Sequence, residues 1–149
     1  MSEFVKTRVA GLMALETPLG PSPVVLLEDD KERILLIVIG RAEASSIAVA
    51  LEGRESEVPL SHDVFLDAMK KFGITLREAR IYGIEGQRFL AKLILESSAG
   101  TREIEARPSD SIALALRAEV PITVSEDVME QASFSKSELL GEEGAEEAE

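Results

Sequence analysis

The chain has 149 residues, 45% hydrophobic and 30% charged, enough for one domain that buries roughly two thirds of its unfolded surface. It contains no cysteine, which excludes disulfides, thiolate nucleophiles and cysteine-ligated zinc and fits a reducing, cytoplasmic setting. Its net charge of −12 leaves no basic stripe to neutralise phosphates, and five Phe and one Tyr offer little base stacking, so tight sequence-independent nucleic-acid binding is not expected.

In chain order, the opening residues MSEFVKTRVAG lack the apolar core of a signal peptide, and no apolar run approaches the ~20 residues of a membrane span, so no membrane association is expected. Residues 4–15 read as a strand, closed by the turn Pro18-Leu19-Gly20-Pro21. PVVLLE (23–28) and RILLIVIG (33–40), joined by the acidic turn Asp29-Asp30-Lys31, predict a hairpin with a buried second strand. RAEASSIAVALEG then places Ala44, Ile47, Ala48 and Leu51 on one helical face, with Gly53 as the stop. SHDVFLDAMKKFG (61–73) is the clearest helix: Val64, Phe65, Ala68, Met69 and Phe72 form its expected buried face, Lys70 and Lys71 suit its C-terminal end, and Gly73 follows it. LREARIYGIEG, QRFLAKLILES and TREIEA read as three further strands, residues 109–118 as a helix, VPITVS as a short strand and SEDVMEQA as a short helix. Residues 138–149 hold six Glu and no basic residue, about half of the excess negative charge, so 134–149 is expected to be an acidic, disordered tail outside a domain spanning 1–133.

The two halves match in order and in detail. Ser46-Ile47-Ala48-Val49-Ala50-Leu51 corresponds to Ser111-Ile112-Ala113-Leu114-Ala115-Leu116, and Arg8-Val9-Ala10-Gly11-Leu12 resembles Arg80-Ile81-Tyr82-Gly83-Ile84. Each half reads as three strands followed by a small-residue helix. The expected fold class is therefore α+β, a single domain of internally duplicated β3-α units with mixed or antiparallel sheets packed against helices, the two repeat helices lying about an approximate two-fold axis.

The stretches PVVLLE, Ile39-Gly40 followed by the alanine-rich helix 41–52, PLSHD (59–63) and RPSDSIALALR (107–117) together resemble the bifunctional nuclease family over roughly residues 5–132. The resemblance implies a duplicated β3α plan and a nuclease active on DNA and RNA. One departure stands out: the strand usually written Leu-Pro-Ile-Trp-Ile-Gly is here Leu35-Leu36-Ile37-Val38-Ile39-Gly40, without the Trp that could stack a base.

A single histidine constrains the chemistry. Neither a two-histidine RNA-cleavage mechanism nor an HExxH zinc site can be built within one subunit. A nuclease must then combine His62 with carboxylates, use a divalent ion such as Mg²⁺ or Mn²⁺ held by carboxylates, or draw groups from two subunits of a homo-oligomer. Beside the family motifs the carboxylates are Glu43, Asp63 and Asp110, candidate metal ligands and each at a helix start. The cluster also reads as capping: Ser61 at the N-cap with Asp63 on the dipole and Leu60 packed on Phe65, then Ser109 at the N-cap with Asp110 on the dipole. Arg107 is the residue that a cap does not need. It is either a phosphate cradle beside free helix N–H groups, with Ser109 as a second substrate contact, or a tie to Asp110 or Asp63 that pins the helix to its neighbour. Asp29-Asp30-Lys31 lacks the partner Asp of a nuclease motif, and Ser109 lacks the flanking glycines of a nucleophile elbow. Two readings follow. One is a metal-assisted phosphodiesterase of low specificity with Glu43, His62, Asp63, Arg107 and Asp110 as its catalytic set and nucleic acid as a transient substrate. The other is a non-enzymatic regulatory domain whose acidic surface meets a protein partner.

Overall fold

The computed structural model describes residues 3–139. Eight strands form one sheet rather than several, in the order β6-β5-β4-β7-β1-β2-β3-β8. The first unit is β1 (Phe4–Thr17), β2 (Gly20–Asp29), β3 (Arg33–Val38) and helix α1 (Arg41–Leu51). Helix α2 (Ser61–Lys71) leads to the second unit, β4 (Thr75–Glu85), β5 (Arg88–Ser97), β6 (Gly100–Ala106) and α3 (Pro108–Ala118), and β7 (Ile122–Ser125), α4 (Glu126–Ala132) and β8 (Phe134–Ser135) follow, with residues 136–139 helical. No helix among the described residues is long and apolar enough to cross a membrane.

The continuous apolar runs of β2 and β3 are explained by burial on both faces. Val25 pairs with Ile37 and Leu27 with Leu35 on the face that packs under the helices, while Val24, Leu26, Ile34 and Leu36 point the other way. On the helix side, α3 sits at the centre: Ile112, Ala113, Leu114 and Ala115 are all buried, and the alanines let α1 and the sheet approach closely.

The duplication is visible in the sheet. Each unit is an antiparallel meander, and the two flank β7. β1 runs antiparallel to β7 and β4 parallel to it, so β1 and β4 run in opposite directions, as a two-fold axis normal to the sheet requires. The first hairpin of each unit also carries a bulge at the matching place, between Val9 and Gly11 in β1 and between Ile81 and Gly83 in β4. A bulge adds an unpaired residue and sharpens the twist. The recurrence of Arg-x-x-Gly around Ala10 and Tyr82 therefore marks a shared backbone feature rather than a chance string.

Three expectations need correction. Phe134 and Ser135 pair with Ile34 and Arg33, so the first residues of the expected tail belong to the sheet; the rest of that tail, from residue 140, lies outside the described residues. The N-caps are Leu60 and Arg107, one residue before Ser61 and two before Ser109. Pro108 is the reason in the second case, because proline favours the first helical position and holds the residue before it extended. The expected buried face of α2 is also displaced: Met69 is buried, whereas Val64, Phe65, Ala68 and Phe72 face outward.

Helix α2 ends in a Schellman motif, with Ile74 N–H donating to Met69 O (2.8 Å), Gly73 N–H to Lys70 O (3.1 Å) and Gly73 at φ +72°. Gly73→Ala should destabilise the protein by about 1 kcal/mol, read from the midpoint of urea unfolding. A variant as stable as the parent would show that this end of α2 does not limit folding.

Candidate functional site

Helices α1, α2 and α3 each carry an acid at the third helical position: Glu43 after N-cap Gly40, Asp63 after Leu60 and Asp110 after Arg107. The N-terminal ends of helices favour negative charge there. Packing of α1 and α2 against α3 then joins their side chains into one hydrogen-bonded chain.

Its outer end is Arg107. The guanidinium, with 63% of the side chain exposed, contacts Glu43 Oε1 through Nη1 (2.9 Å) and Asp110 through Nε (2.9 Å to Oδ2) and Nη2 (3.2 Å to Oδ1). Asp110 Oδ1 meets His62 Nε2 at 2.9 Å, and His62 Nδ1 meets Ser46 Oγ at 2.6 Å. Ser46 Oγ also accepts from Arg117 Nη2 (3.0 Å), while Arg117 Nε donates to Asp63 Oδ1 (2.8 Å). Asp63 closes the chain by accepting the Leu60 N–H at 2.9 Å through its other oxygen.

Asp110 selects the histidine tautomer. Its ionised carboxylate can only accept, so the ring proton sits on Nε2 and is donated to Asp110, and with a neutral ring Ser46 Oγ donates to Nδ1 while accepting from Arg117. The neutral imidazole satisfies every partner. Burial pushes the Asp110 carboxyl up, but hydrogen bonds from Arg107 and His62 outweigh it and hold the group below its ordinary range. The Leu60 N–H, opposed by burial and aided by Arg117, lowers Asp63 in the same way. The Asp110 and Glu43 carboxylates raise the Arg107 guanidinium further, so it stays charged.

The structure brings Glu43, His62, Arg107 and Asp110 into one contiguous group and reaches Asp63 through Ser46 and Arg117. Ser109, at the second position of α3, is buried and lines the adjacent cleft; the serine that meets His62 is Ser46. That open cleft, of about 720 Å³, runs between Val38 and Gly40 at the end of β3, Phe89 on β5 and Arg107 at the start of α3. Arg107 is thus shared by the cleft and the network. Gly40 matters locally, because a Cβ there would collide with the Glu43 carboxylate.

Ser46 and Arg117 were absent from the sequence-derived set. Both lie in the motif helices, and Arg117 follows Asp110 by seven residues, two helical turns, so a shared face was readable. Ser46 is only 5% exposed and holds two partners, which makes it a positioning group for His62 rather than a nucleophile. The carboxylates expected as metal ligands do not converge. Glu43 and Asp110 face Arg107, Asp63 faces Arg117, and among the described residues no three His, Asp or Glu side chains are close enough to hold an ion.

A model of the bifunctional nuclease domain matches residues 24–137. The chain is also similar to two proteins of Mycobacterium tuberculosis, from strains CDC 1551 and H37Rv and each described as uncharacterized, at 38% identity over 143 residues covering 96% of this chain and 82% of each relative. The match runs from within β2 through β8 and takes in every residue of the network, and on that footing the chain belongs to the bifunctional nuclease domain family.

Proposed function

We propose that the protein is a cytoplasmic phosphodiesterase of low sequence specificity that takes DNA or RNA as a transient substrate, with His62 and Asp110 as its acid–base pair and Arg107 as its phosphate anchor. Arg107 carries this reading: it is the exposed cation where the cleft meets the histidine–aspartate pair. A phosphate oxygen replaces Glu43 on the guanidinium, whose planar fork suits it. Asp110 Oδ2, freed as Arg107 turns to the phosphate, takes the proton of the attacking water while the His62 Nε2–H holds Oδ1, and the P–O bond to the leaving oxygen breaks as that oxygen gains a proton from solvent. Ser109 borders the same cleft and supplies a second contact. The acidic chain, at −12, keeps binding weak and release fast.

The divalent ion expected on Glu43, Asp63 and Asp110 is not favoured by the donor set, because all three carboxylates already face guanidinium groups. Purified protein should therefore cleave single-stranded DNA or RNA in EDTA, and His62→Gln should lower the rate by about 10²-fold or more. Cleavage abolished by EDTA and restored by Mn²⁺ would assign the chemistry to a bound ion and overturn the His62 route.

A second reading draws on the completeness of the network, in which no buried side-chain polar atom among the described residues lacks a partner. Such closure suits a regulatory domain whose polar cluster only holds three helices together and whose acidic surface meets a protein partner. Parent protein inactive on both nucleic acids, with His62→Gln costing only stability, would favour it.

A further inference from the structure

Among the described residues, the outward face of α2 has no partner. Val64 is 56% exposed, Phe65 39% and Phe72 82%, and Ala68 lies between them. At 100° per residue these four positions span an arc of about 100°. His62, Leu66 and Met69 occupy the inward arc that packs on the body of the protein. An apolar stripe of helical period is ordinarily core, and a contiguous one left in water marks an interface.

The charges around the stripe identify what covers it. Asp67 and Lys71 line one edge and form an i,i+4 pair (2.8 Å). From 61 to 73 the helix carries two acids, Asp63 and Asp67, and two lysines, Lys70 and Lys71, so it is locally neutral in a strongly acidic chain. The acids lie towards its N-terminal end and the lysines at its C-terminal end. Neither a basic nor an acidic partner is favoured by that distribution, but its own reverse is. In an antiparallel pair on a two-fold axis the same edge of each helix meets, which brings Asp67 toward the partner's Lys71 and Lys71 toward the partner's Asp67. The helix dipoles also oppose, and Ala68 near the axis lets the backbones approach closely.

We propose that α2 is a homodimer interface, two copies pairing antiparallel through Val64, Phe65, Ala68 and Phe72. The helix is short for a specific interface, which ordinarily buries on the order of 1,000 Å² or more, so the dimer is reversible and concentration-dependent. It backs the helix whose inner face carries His62 and Asp63, without adding a group to the site.

Sedimentation velocity across a concentration series of the full chain should show a monomer–dimer equilibrium. Phe72→Glu, at a surface position, should raise the dimer dissociation constant by about tenfold or more while circular dichroism and Tm stay those of the parent. Asp67→Lys and Lys71→Asp should each weaken the dimer, and the double charge swap should restore it. A parent that stays monomeric at every concentration overturns the proposal, as does a dimer indifferent to Phe72→Glu. So does a double swap weaker than either single variant. A monomeric parent that sediments with zwitterionic lipid vesicles would instead assign the stripe to a membrane surface.

Discussion

Arg107→Ala should lower the cleavage rate on single-stranded substrate by about 10²-fold or more while leaving the fold intact, the loss typical of removing a preorganised charge from a reacting phosphate. The separation of the two effects follows from position. The guanidinium is 63% exposed, and its ion pairs with Glu43 and Asp110 are of the surface kind, which contribute about 0–1 kcal/mol each. The bonds from His62 to Ser46 and Asp110 do not pass through it. Arg107→Lys should fall between parent and Ala, since a lysine keeps the charge but loses the planar fork. Glu43→Gln should move the other way and lower KM, because the carboxylate competes with phosphate for Nη1. The measurement is initial rate against substrate concentration, with Tm as the folding control. An Ala variant as fast as the parent would trace the activity to a contaminating nuclease and remove Arg107 from the site.

Arg117→Met should have the largest effect on stability of any substitution in the network, about 2–3 kcal/mol, or a fall in Tm of roughly 5–10 °C. The side chain is 10% exposed and joins three helices: it donates to Asp63 on α2, to Ala113 O within α3, and to both the carbonyl and hydroxyl oxygens of Ser46 on α1. Its loss leaves those acceptors unpaired, although Asp63, 39% exposed, recovers water and keeps the cost below that of a fully buried pair. The same network gives a pH dependence. Asp63 and Asp110 both have carboxyls lowered in the folded state, so the stability they contribute is fully present above their unfolded value of about 4 and is lost as pH falls through the lowered folded values. The parent should therefore lose stability on acidification below about pH 4, and Arg117→Met, which removes part of the cause at Asp63, should lose less over that interval. Equal slopes in parent and variant would disconnect Arg117 from the titration of Asp63.

Strand and helix order was legible because local pattern decides it. The turn residues, the two-sided apolar runs of β2 and β3 and the repeated Ser-Ile-Ala motif each act over a few residues, and the elements they predict from β1 to α4 lie where the structure has them. The caps were misread because Ser61 and Ser109 are good capping types in the right neighbourhood, and only the preference of Pro108 for the first helical position moves the cap to Arg107. The inward face of α2 was misread for a different reason. Periodicity shows that an apolar stripe exists but not which solvent or neighbour it meets, and Met69 alone of the expected set turned inward to full burial. In the site, Glu43, His62, Arg107 and Asp110 were legible as polar residues at helix starts. Ser46 and Arg117 lie deeper in their helices, and their roles depend on how α1 and α3 cross, which no local pattern encodes.

The placement of β7 has a kinetic consequence. This four-residue strand is buried along its whole length, sits between the two repeat units and supplies the pairing that joins β1 to β4. It pairs Phe4 with Ser125, residues 121 apart in sequence, and it follows both repeats in the chain. During synthesis each meander can therefore form from near neighbours as it emerges, but the two halves cannot be joined into one sheet until the ribosome has passed residue 125. Until then β1 and β4 are both open edges, each able to recruit the other wrongly or to pair with another nascent chain. The closing step brings together the most distant segments of the fold and carries the largest loop-closure entropy. Assembly of this symmetric domain is thus timed by the strand between its repeats, which has no symmetry mate.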